Sequence, residues 1–487
     1  MLRTLLLCVG FSIYQAIAAH AADRPPNIIL IVADDMGYGD AGCYGATDIH
    51  TPNIDRMAGE GIRFTNFNVA QAVCTASRAA LLSGCYPNRI GMSGAFNHTS
   101  TSGINPEETL LSELCKTRGY ATACFGKWHL GTRQEFDPNH NGFDQWLGLP
   151  YSNDNGPLHP SVRGIPSLPL IENGLTIALN SDQSTFTKMF TDKAVEFIAA
   201  NKANPFFLYV PHVMPHVPIA ASKDFQGKSS RGLYGDAVEE VDWSVGQILS
   251  AIRNNQLDDL TLVLFLSDNG PFLSYGNHAG SAGPFREGKL TTFEGGVRVP
   301  FIARWPEHIA AAKTCDELIT GLDLMPTLAK LIGAPLPARK IDGEDLSSLL
   351  LGQPGAHGRS VFAYYSGSEL HAVREGNWKL HVQHEYLTVN GPAGSNGKPA
   401  NFENMKPNSI EESGVRGIAS RHGYKVVPLE LSLFDLAADP GESVNVAAQH
   451  PQLVSQLSEH VAKFRRELGD SLTSQAGIGL RPIGNSQ

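Results

Sequence analysis

The sequence is short of charged residues and has no basic excess. Asp, Glu, Lys and Arg make up 18% of the 487 residues, and 48 acidic residues outnumber 38 basic ones, giving a formal net charge of -10. A nucleic-acid partner is therefore not expected, because phosphate backbones are bound by clustered Lys and Arg. An anionic substrate has to be held by a few local cations against the overall field. The length and a hydrophobic content of 42% predict a well-buried, enzyme-sized protein of two domains.

Long hydrophobic runs are absent after the start of the chain. The start itself, MLRTLLLCVGFSIYQAIAAHA, has a basic residue at Arg3, an apolar stretch and a small-residue cleavage site, which is the pattern of a secretory signal. The apolar stretch is too short for a bilayer and is interrupted by Gln15. The sequence therefore predicts a signal peptide over residues 1–21, a mature protein that starts near Ala22, no membrane span, and a secreted or periplasmic location.

Cysteine is sparse, and its spacing matches no dense disulfide framework. Cys8 would leave with the signal peptide, and the six cysteines that remain are enough for three disulfides in an oxidising compartment. If Cys74 has another task, however, the other five cannot all pair. The six lie at Cys43, Cys74, Cys85, Cys115, Cys124 and Cys315.

Four short apolar runs each lead into polar residues that carry chemistry. Continuous runs rich in β-branched residues are typical of strands that are buried on both faces of a parallel sheet. Helical patterns separate them, for example over residues 109–118 and 186–201, which favours an α/β fold. Ligands in such folds bind beyond the carboxyl ends of the strands, so the polar clusters are expected to meet at one edge of the sheet. The runs and their polar residues are 27–33 with Asp34 and Asp35, 120–125 with Lys127 and His129, 206–210 with His212 and His216, and 260–266 with Asp268 and Asn269.

The pattern changes near Tyr365. We predict a hairpin with a Gly-Asn turn, a loop rich in Gly, Pro and Asn, a strand and a helix, over residues 371–382, 389–407, 431–434 and 451–468. These elements predict a smaller C-terminal α+β domain, built on an antiparallel sheet, over residues 365–487. Residues 22–364 are predicted to form the catalytic domain, with a large mixed, mostly parallel sheet flanked by helices.

Asp34, Asp35, Asp268 and Asn269 are the oxygen ligands that a hard divalent cation needs, since Ca²⁺ takes six to eight oxygens and Mg²⁺ takes six. Each pair also has an ordinary structural interpretation, because Asp-Asp can cap a helix and Asp-Asn-Gly can form a turn. Their shared position after apolar strands favours the metal site. A thiol-binding metal is not expected, because the chain has no Cys-x-x-Cys or His-Glu-x-x-His spacing.

Three further segments contain residues that could contact an oxyanion. Lys127 and His129 are two residues apart, so on an extended segment they point to the same side; the alternative is a surface lysine beside a structural histidine. In the loop PHVMPHVP, proline restrains both His212 and His216, and one of the two can be structural. Lys289 lies in a segment whose glycines permit close approach to a ligand, although a plain loop is the ordinary interpretation.

Five blocks of the sequence, taken in order, resemble the sulfatase family. The first, CTASRAALLSG at residues 74–84, is similar to the family signature Cys-x-Pro-Ser-Arg, whose cysteine is oxidised to formylglycine after translation. The resemblance is to formylglycine-dependent (type I) sulfatases of the alkaline phosphatase superfamily, in particular to the arylsulfatase A and N-acetylgalactosamine-6-sulfatase groups. It spans residues 27–306, with a weaker match over 433–442. The other blocks are GKWHLG at 126–131, PYS at 150–152, SDNG at 267–270 and GKLTTFEGG at 288–296.

The resemblance implies an alkaline phosphatase-like fold and the hydrolysis of sulfate esters with release of inorganic sulfate. It also implies a metal, calcium rather than magnesium, and a role for each residue of the blocks. His216 matches better than His212, because the family histidine is followed by one residue and then proline. The implied calcium ligands are Asp34, Asp35, Asp268, Asn269 and the modified Cys74; Arg78 and Lys127 would hold and polarise formylglycine; and His129, Ser152, His216 and Lys289 would surround the sulfate.

One residue departs from the family pattern. Ala76 stands where most members have proline, so the conversion of Cys74 is expected to depend on a maturation enzyme that accepts alanine. Hydrated formylglycine has two hydroxyls on one carbon: one would attack sulfur, with His216, helped by Lys289, as the acid for the leaving alcohol. Deprotonation of the second by His129 would expel sulfate and restore the aldehyde. The helix start at Cys74 would turn its positive end toward the anion.

Two other functions are compatible with the sequence. A phosphomonoesterase or phosphodiesterase of the same superfamily would use Thr75 or Ser77 as nucleophile, but the chain lacks an additional His and Asp set for a second metal. A non-catalytic binder of sulfated glycans would follow if Cys74 stays a thiol. As substrate we expect a sulfated galactose or N-acetylgalactosamine unit of a polysaccharide, with aryl sulfates as surrogates. The leaving-group pocket is expected to include residues 153–180, the loop after His216 and the C-terminal domain, including His371 and Arg374.

Overall fold

The computed structural model describes residues 24–412 and 414–486. The predicted signal peptide lies outside these residues. The strands, numbered in chain order, are β1 Asn27–Ala33, β2 Ile62–Asn68, β3 Ser102–Gly103, β4 Ala121–Lys127, β5 Gln145–Leu149, β6 Pro169–Glu172, β7 Leu175–Leu179, β8 Phe206–Pro211, β9 Thr261–Ser267, β10 Arg298–Arg304, β11 Lys313–Cys315, β12 Ile319–Thr320, β13 Val361–Ser366, β14 Glu369–Glu375, β15 Trp378–His381, β16 His384–Val389, β17 Tyr424–Leu429, β18 Ser432–Asp435 and β19 Gly484–Asn485.

The strands alternate with helices through most of the chain. The α-helices are α1 Pro52–Gly59, α2 Cys74–Ser83, α3 Leu111–Thr117, α4 Phe186–Ala200, α5 Gly232–Asn254, α6 Glu294–Val297, α7 Leu324–Ile332, α8 Ser347–Leu350, α9 Gly414–His422 and α10 Pro451–Leu468. Single turns of 3₁₀-helix lie at Tyr38–Asp40, Gly42–Tyr44, Gln134–Phe136, Pro138–His140, Gln183–Thr185, Asp258–Leu260, Leu273–His278, Gly321–Asp323, Phe402–Asn404, Ala447–Gln449 and Ser471–Thr473.

One large sheet forms the centre of the molecule. Its strand order is β11-β2-β10-β9-β1-β8-β4-β5-β6-β7, and β12 also pairs with β2. The five strands β9, β1, β8, β4 and β5 are parallel, whereas β10, β6 and β7 join antiparallel. The predicted mixed, mostly parallel sheet is therefore confirmed. The carboxyl ends of the five parallel strands lie at one edge, where ligands of such sheets bind.

Strand β1 shows why this sheet is buried on both faces. All seven of its residues, NIILIVA, are buried. Because successive side chains point to opposite faces, Ile29 and Ile31 belong to the hydrophobic cluster under α4 and α5, while Ile28 and Leu30 belong to the cluster that includes α2. The second cluster continues into β13, β14 and α10, so one core joins the large sheet to the C-terminal part of the chain.

The C-terminal part contains a four-stranded antiparallel sheet of order β13-β14-β15-β18. The hairpin β14–β15 turns at Gly376 and Asn377, as predicted, and Gly376 has a φ of 57°, which favours glycine. Helix α10 packs on this sheet, and the hydroxyl of Tyr365 lies 3.3 Å from the carbonyl of Phe464. The sheet begins with β13 at Val361, so the expected domain boundary at residue 365 falls within its first strand.

A buried ionic network connects the small sheet to the segment that carries Lys289. Lys379 Nζ lies 2.9 Å from Glu294 and 3.1 Å from Glu442, and His381 Nε2 lies 3.0 Å from Glu442. Burial alone would raise the pKa of Glu294, but Lys379 and Arg374 lower it below its ordinary value. A buried ion pair of this kind is costly to break, because removal of one partner leaves an uncompensated charge. The network therefore fixes how the small sheet docks beside the site.

The structure also bears on the membrane and disulfide expectations. Within the described residues, no helix combines the length and the apolar character needed to cross a bilayer. The six cysteines of the described chain are all unpaired, so the alternative of three disulfides is not realised.

Candidate active site

Cys74 is the first residue of α2, after Val73 in extended conformation, and it lines a cavity of about 700 Å³. The thiol is 2% exposed. Its Sγ lies 3.6 Å from Asp34 Oδ1, and Lys289 Nζ approaches it to 3.3 Å. Burial raises the pKa of the thiol to about 12, although Lys127 and Lys289 act in the opposite direction. As an unmodified cysteine, the side chain is therefore a weak nucleophile here.

Two acidic segments meet beside Cys74. Strand β1 ends at Ala33 and strand β9 ends at Ser267, and these two residues are partners in the parallel ladder. The side chains that follow are therefore brought together: Asp35 N donates to Asp268 Oδ1 at 3.2 Å, and Asn269 Nδ2 donates to Asp35 Oδ1 at 2.7 Å. Asp35 has a φ of 66°, a conformation that non-glycine residues adopt rarely and that is frequent at functional sites.

The residues of this cluster fit a hard divalent cation. Asp35 Oδ2 and Asn269 Oδ1 are buried and have no hydrogen-bond partner within the described residues. Ligand atoms of Asp34, Asp35, Cys74 and His216 lie within 4.8 Å of one another. Unpaired buried oxygens are costly unless a cation or water completes them, and carboxylate and amide oxygens are the donors that Ca²⁺ and Mg²⁺ take. All five predicted ligands therefore meet here, since Cys74 contacts Asp34 while Asp268 and Asn269 are each hydrogen-bonded to Asp35.

Arg78 and Lys127 hydrogen-bond directly to the carboxylates of the cluster and not to Cys74. Arg78 is fully buried; its Nε lies 2.9 Å from Asp268 Oδ2, and its Nη1 donates to the Lys127 carbonyl at 2.9 Å. Lys127 Nζ lies 2.6 Å from Asp34 Oδ2 and 3.2 Å from Ser152 Oγ. Burial disfavours the ammonium of Lys127, but Asp34, Cys74 and Asp268 together offset this and raise its pKa. The charges of Arg78, Lys127 and Lys289 balance those of the three carboxylates, Asp34, Asp35 and Asp268. A bound divalent cation would therefore give the site a net positive charge that attracts an anion.

Lys289 occupies the open side of the cluster. Its Nζ lies 2.7 Å from Asp35 Oδ1 and 4.7 Å from the centre of the Phe272 ring. Burial opposes its charge, but Asp35 and Cys74 raise its pKa well above the ordinary value. The ammonium is thus a fixed positive charge directly beside the Cys74 side chain.

His129 lines the cavity, but not for the reason expected from an extended segment. Strand β4 ends at Lys127, and His129 has a φ of 63°, so the predicted alternation is wrong. The His129 Nε2 lies 2.7 Å from the Phe96 carbonyl and must carry the hydrogen, whereas Nδ1 is buried and has no hydrogen-bond partner in the described part of the chain. Burial and Lys127 lower the pKa of His129 well below its ordinary value. The ring is neutral, with a free lone pair on Nδ1.

The two histidines of the proline-containing loop have different positions. His216 lines the cavity; its Nδ1 lies 2.5 Å from the Val217 carbonyl and its Nε2 lies 3.5 Å from Asp35 Oδ2. His212 is fully buried elsewhere, with its Nε2 3.0 Å from Ser244 Oγ, and burial lowers its pKa to about 4. The structural role left open for one of the pair therefore fits His212.

The outer part of the cavity is built from segments far apart in the chain. Its walls come from residues 93–100, from Asp154 and Asn155, from 365–369 and from one side of α9. Sequence reasoning missed residues 93–100, which are mainly Ser, Gly, Ala and Asn and have no chemical signature. It also missed α9, whose place depends on tertiary packing.

Two residues expected in the leaving-group pocket are elsewhere, so that expectation is wrong for them. His371 is buried with its Nε2 2.9 Å from Glu369 and its Nδ1 3.3 Å from Thr292. Arg374 is buried beside Glu294, at 3.7 Å, in the ionic network of the small sheet. The pairing of β14 with β13 is irregular between Leu370 and Ala372, so simple strand alternation does not predict where His371 and Arg374 point.

The helix start also separates Cys74 from the two hydroxyls that a phosphoesterase would use. Cys74 lines the cavity, whereas Thr75 is fully buried and its Oγ1 accepts a hydrogen bond from the Phe96 amide at 3.1 Å. Of the residues at this turn, Cys74 is therefore the one whose side chain faces the cluster of Lys289, Asp34 and Asp35.

A sequence profile described as Sulfatase matches residues 26–334, and one described as the C-terminal region of aryl-sulfatase matches residues 357–483. The chain belongs to the sulfatase family. Human arylsulfatase A is 39% identical over 485 residues, which cover 94% of this sulfatase and 90% of the relative. The N-acetylgalactosamine-6-sulfatase of Rattus norvegicus is 43% identical over 382 residues, covering 75% of this chain and 72% of the relative.

Solved structures agree with the family. The crystal structure of the PsFucS1 sulfatase from Pseudoalteromonas sp. matches with a TM-score of 0.77 at 27% identity, covering 93% of this sulfatase and 92% of the other chain. The predicted alkaline phosphatase-like fold and the predicted enzyme class are confirmed, and the protein is a sulfuric ester hydrolase.

Proposed function

We propose that this sulfatase uses a formylglycine made from Cys74, together with a bound calcium ion, to remove sulfate from a carbohydrate. The observation that carries the proposal is the position of Cys74: it lines the cavity, and its Sγ lies 3.3 Å from Lys289 Nζ and 3.6 Å from Asp34 Oδ1. A buried, protonated thiol has little use there as a nucleophile, whereas a hydrated aldehyde supplies a hydroxyl at the same place.

Calcium is supported by the chemistry of the donors. The unpaired oxygens of Asp35 and Asn269 and the carboxylates of Asp34 and Asp268 are hard ligands, and the cluster can surround an ion with more than four of them. A bound calcium ion would supply positive charge that favours the ionised form of a nearby hydroxyl. In this proposal, Arg78 keeps Asp268 in place from behind.

The remaining side chains divide the work of charge and proton handling. Lys289 and Lys127 hold positive charge beside the position of the Cys74 side chain, where charge on a sulfate oxygen would develop. His129 is neutral with a free Nδ1 and can accept a proton there. His216 lines the cavity with Nε2 and is placed to donate a proton to the departing alcohol, and Ser152 orients Lys127.

A sulfated galactose or N-acetylgalactosamine unit is the substrate we propose. The cavity of about 700 Å³ has the size of a small-molecule site and is lined by both polar and apolar groups. The similarity to an N-acetylgalactosamine-6-sulfatase supports this class. Small aryl sulfates would enter the same cavity as surrogates. The predicted signal peptide supports a secreted or periplasmic enzyme that meets its maturation enzyme during export.

Peptide mass tests the nucleophile directly. Trypsin cleaves after Arg63 and Arg78, so one peptide carries Cys74. Conversion replaces SH and H by O, and the proposal expects this lighter peptide in protein from the native host, with activity in proportion to its fraction. A Cys74→Ala variant provides the inactive control. Full activity in preparations whose peptide carries only the thiol would overturn the proposed nucleophile.

A further inference from the structure

Asp154 is a buried carboxylate in the cavity wall with fewer hydrogen bonds than its charge requires. It is 8% exposed and lines the same cavity as Cys74. Within the described residues, the carboxylate accepts one hydrogen bond, from Asn155 Nδ2 at 3.0 Å. An ionised carboxylate has about four acceptor positions, and a buried one is normally well satisfied. The unused acceptor capacity of Asp154 therefore points to a ligand that donates hydrogen bonds.

The surroundings keep this carboxylate charged without pairing it. Burial alone would raise the pKa of Asp154, but His216, His159 and His422 together lower it below the ordinary value. Arg421 also faces the cavity, and Asp154 acts to raise its pKa. No ion pair joins Asp154 to Arg421 among the described residues, although each influences the other. The carboxylate is a free acceptor rather than half of a salt bridge.

Polar groups near Asp154 are similarly incomplete. Arg421 Nε is buried without a hydrogen-bond partner, while its Nη1 is used by the Ser409 carbonyl at 3.1 Å. His422 holds the hydroxyl of Tyr275 at 2.8 Å from its Nδ1, and its ring lies 5.0 Å from that of Phe272. This wall therefore offers an acceptor, donors and an aromatic face, a combination suited to a sugar ring with free hydroxyls.

We infer that Asp154 accepts a hydrogen bond from a hydroxyl of the sugar that carries the sulfate, and that it thereby selects sulfated sugars over aryl sulfates. The inference rests on the proposed carbohydrate substrate. Asp154 lines the same cavity as Cys74, so a sugar hydroxyl can reach it while the ester is at Cys74. An aryl sulfate without ring hydroxyls has no group to offer this carboxylate.

The test compares two substrates in one variant. In Asp154→Asn, kcat/KM for galactose 6-sulfate or N-acetylgalactosamine 6-sulfate should fall about 10- to 100-fold, as expected for loss of a hydrogen bond to a charged group. The value for 4-nitrophenyl sulfate should stay within about twofold, since that substrate lacks the hydroxyl. Asp192→Asn is the matched control, because Asp192 is an exposed carboxylate on α4 and is not part of the cavity wall. Neither substrate should respond to it.

Deoxy analogues of the sulfated sugar identify the hydroxyl. For the wild type, removal of the recognised hydroxyl should lower kcat/KM as much as the Asp154→Asn substitution does. For the Asp154→Asn variant, removal of the same hydroxyl should lower kcat/KM only slightly further. Equal losses on sugar and aryl sulfate would mean that Asp154 acts through His216 and would overturn the inference. So would unchanged kinetics on both. A wild type that cleaves aryl sulfates but no sulfated sugar would instead refute the proposed substrate, and the inference with it.

Discussion

The backbone amide of Ala76 donates a hydrogen bond to the carbonyl of Gly94 at 3.1 Å. Ala76 is the position at which the sulfatase signature usually has proline, and proline has no N–H to donate. Gly94 belongs to the segment 93–100 that forms one wall of the cavity. The departure from the signature thus has a structural use, since it ties that wall to the helix that begins at Cys74.

Ala76→Pro should weaken this connection. Proline is tolerated in the first turn of a helix, so we expect a folded protein whose free energy of unfolding is lower by about 0.5–1.5 kcal/mol, the usual net value of one hydrogen bond. Urea unfolding measures it. Ala76→Ser keeps the amide and should match the wild type. A proline variant as stable as the serine variant would show that the hydrogen bond to Gly94 contributes nothing.

Lys289→Ala should be nearly inactive. Loss of a well-placed charge at an oxyanion site costs about 10²–10³ in kcat, and Lys289 Nζ is the cation that lies 3.3 Å from Cys74 Sγ. Initial rates on an aryl sulfate, compared at equal formylglycine content, measure the loss. Lys188→Ala, which removes a lysine whose side chain is 56% exposed, should leave kcat unchanged. Wild-type turnover in Lys289→Ala with unaltered melting would remove the role assigned to this lysine.

Removal of divalent cations should destabilise the protein. Asp34 and Asp35 are buried next to each other, and Asp35 Oδ2 accepts no hydrogen bond within the described chain, so a cation that binds the folded state adds stability. At 100 times its Kd, a ligand adds about 2.7 kcal/mol. Thermal melting should therefore fall with a chelator and recover with calcium more fully than with magnesium. In Asp35→Asn the recovery should shrink, and identical melting of the wild type with chelator and with calcium would contradict the metal site.

Stability should decrease in mild acid because of buried histidines in the small domain. Burial lowers the pKa of His371 to about 3, and burial together with His371 lowers that of His384 to about 3. An unfolded histidine titrates near 6.5, so between these values the unfolded chain binds more protons and folding is penalised as the pH falls. The stability is complete above about pH 6.5 and is lost toward pH 3, at up to about 1.4 kcal/mol per pH unit for each histidine.

The free energy of unfolding at pH 7 and pH 5 checks this for His384→Gln. The variant should lose about 2 kcal/mol less than the wild type between the two pH values. His357→Gln is the control, since that side chain is 82% exposed, and it should follow the wild type. Equal losses in all three proteins would show that His384 is not the source of the acid sensitivity.

The sequence predicted the large sheet well because its strands are apolar runs with local signatures. Residues 27–33 were predicted as a strand and form β1 without change, and helix α10 spans the predicted 451–468. The acidic pairs after β1 and β9 were expected at one edge, and the ladder places them side by side. These elements follow from local periodicity and from the rule that parallel strands share a carboxyl end.

What the sequence could not predict depends on positive φ angles and on distant contacts. The turn at His129 follows from the conformation of a non-glycine residue, which alternation does not reveal. The orientation of Arg374 follows from Glu294, which is brought near by the docking of two domains. The sequence places Asp154 in the predicted pocket segment 153–180 but does not single it out, because one Asp after the PYS block has no pattern of its own. Its burial and its single hydrogen bond distinguish it in the structure.

The composition of the cavity wall has a consequence for how such an enzyme diversifies. The proposed sulfate site lies at the ends of strands of the large sheet. Residues 365–369 and α9, from the C-terminal part of the chain, form the wall proposed to contact the group that carries the ester. Replacement of these C-terminal segments would change the substrate specificity without changing the residues proposed to cleave the sulfate ester.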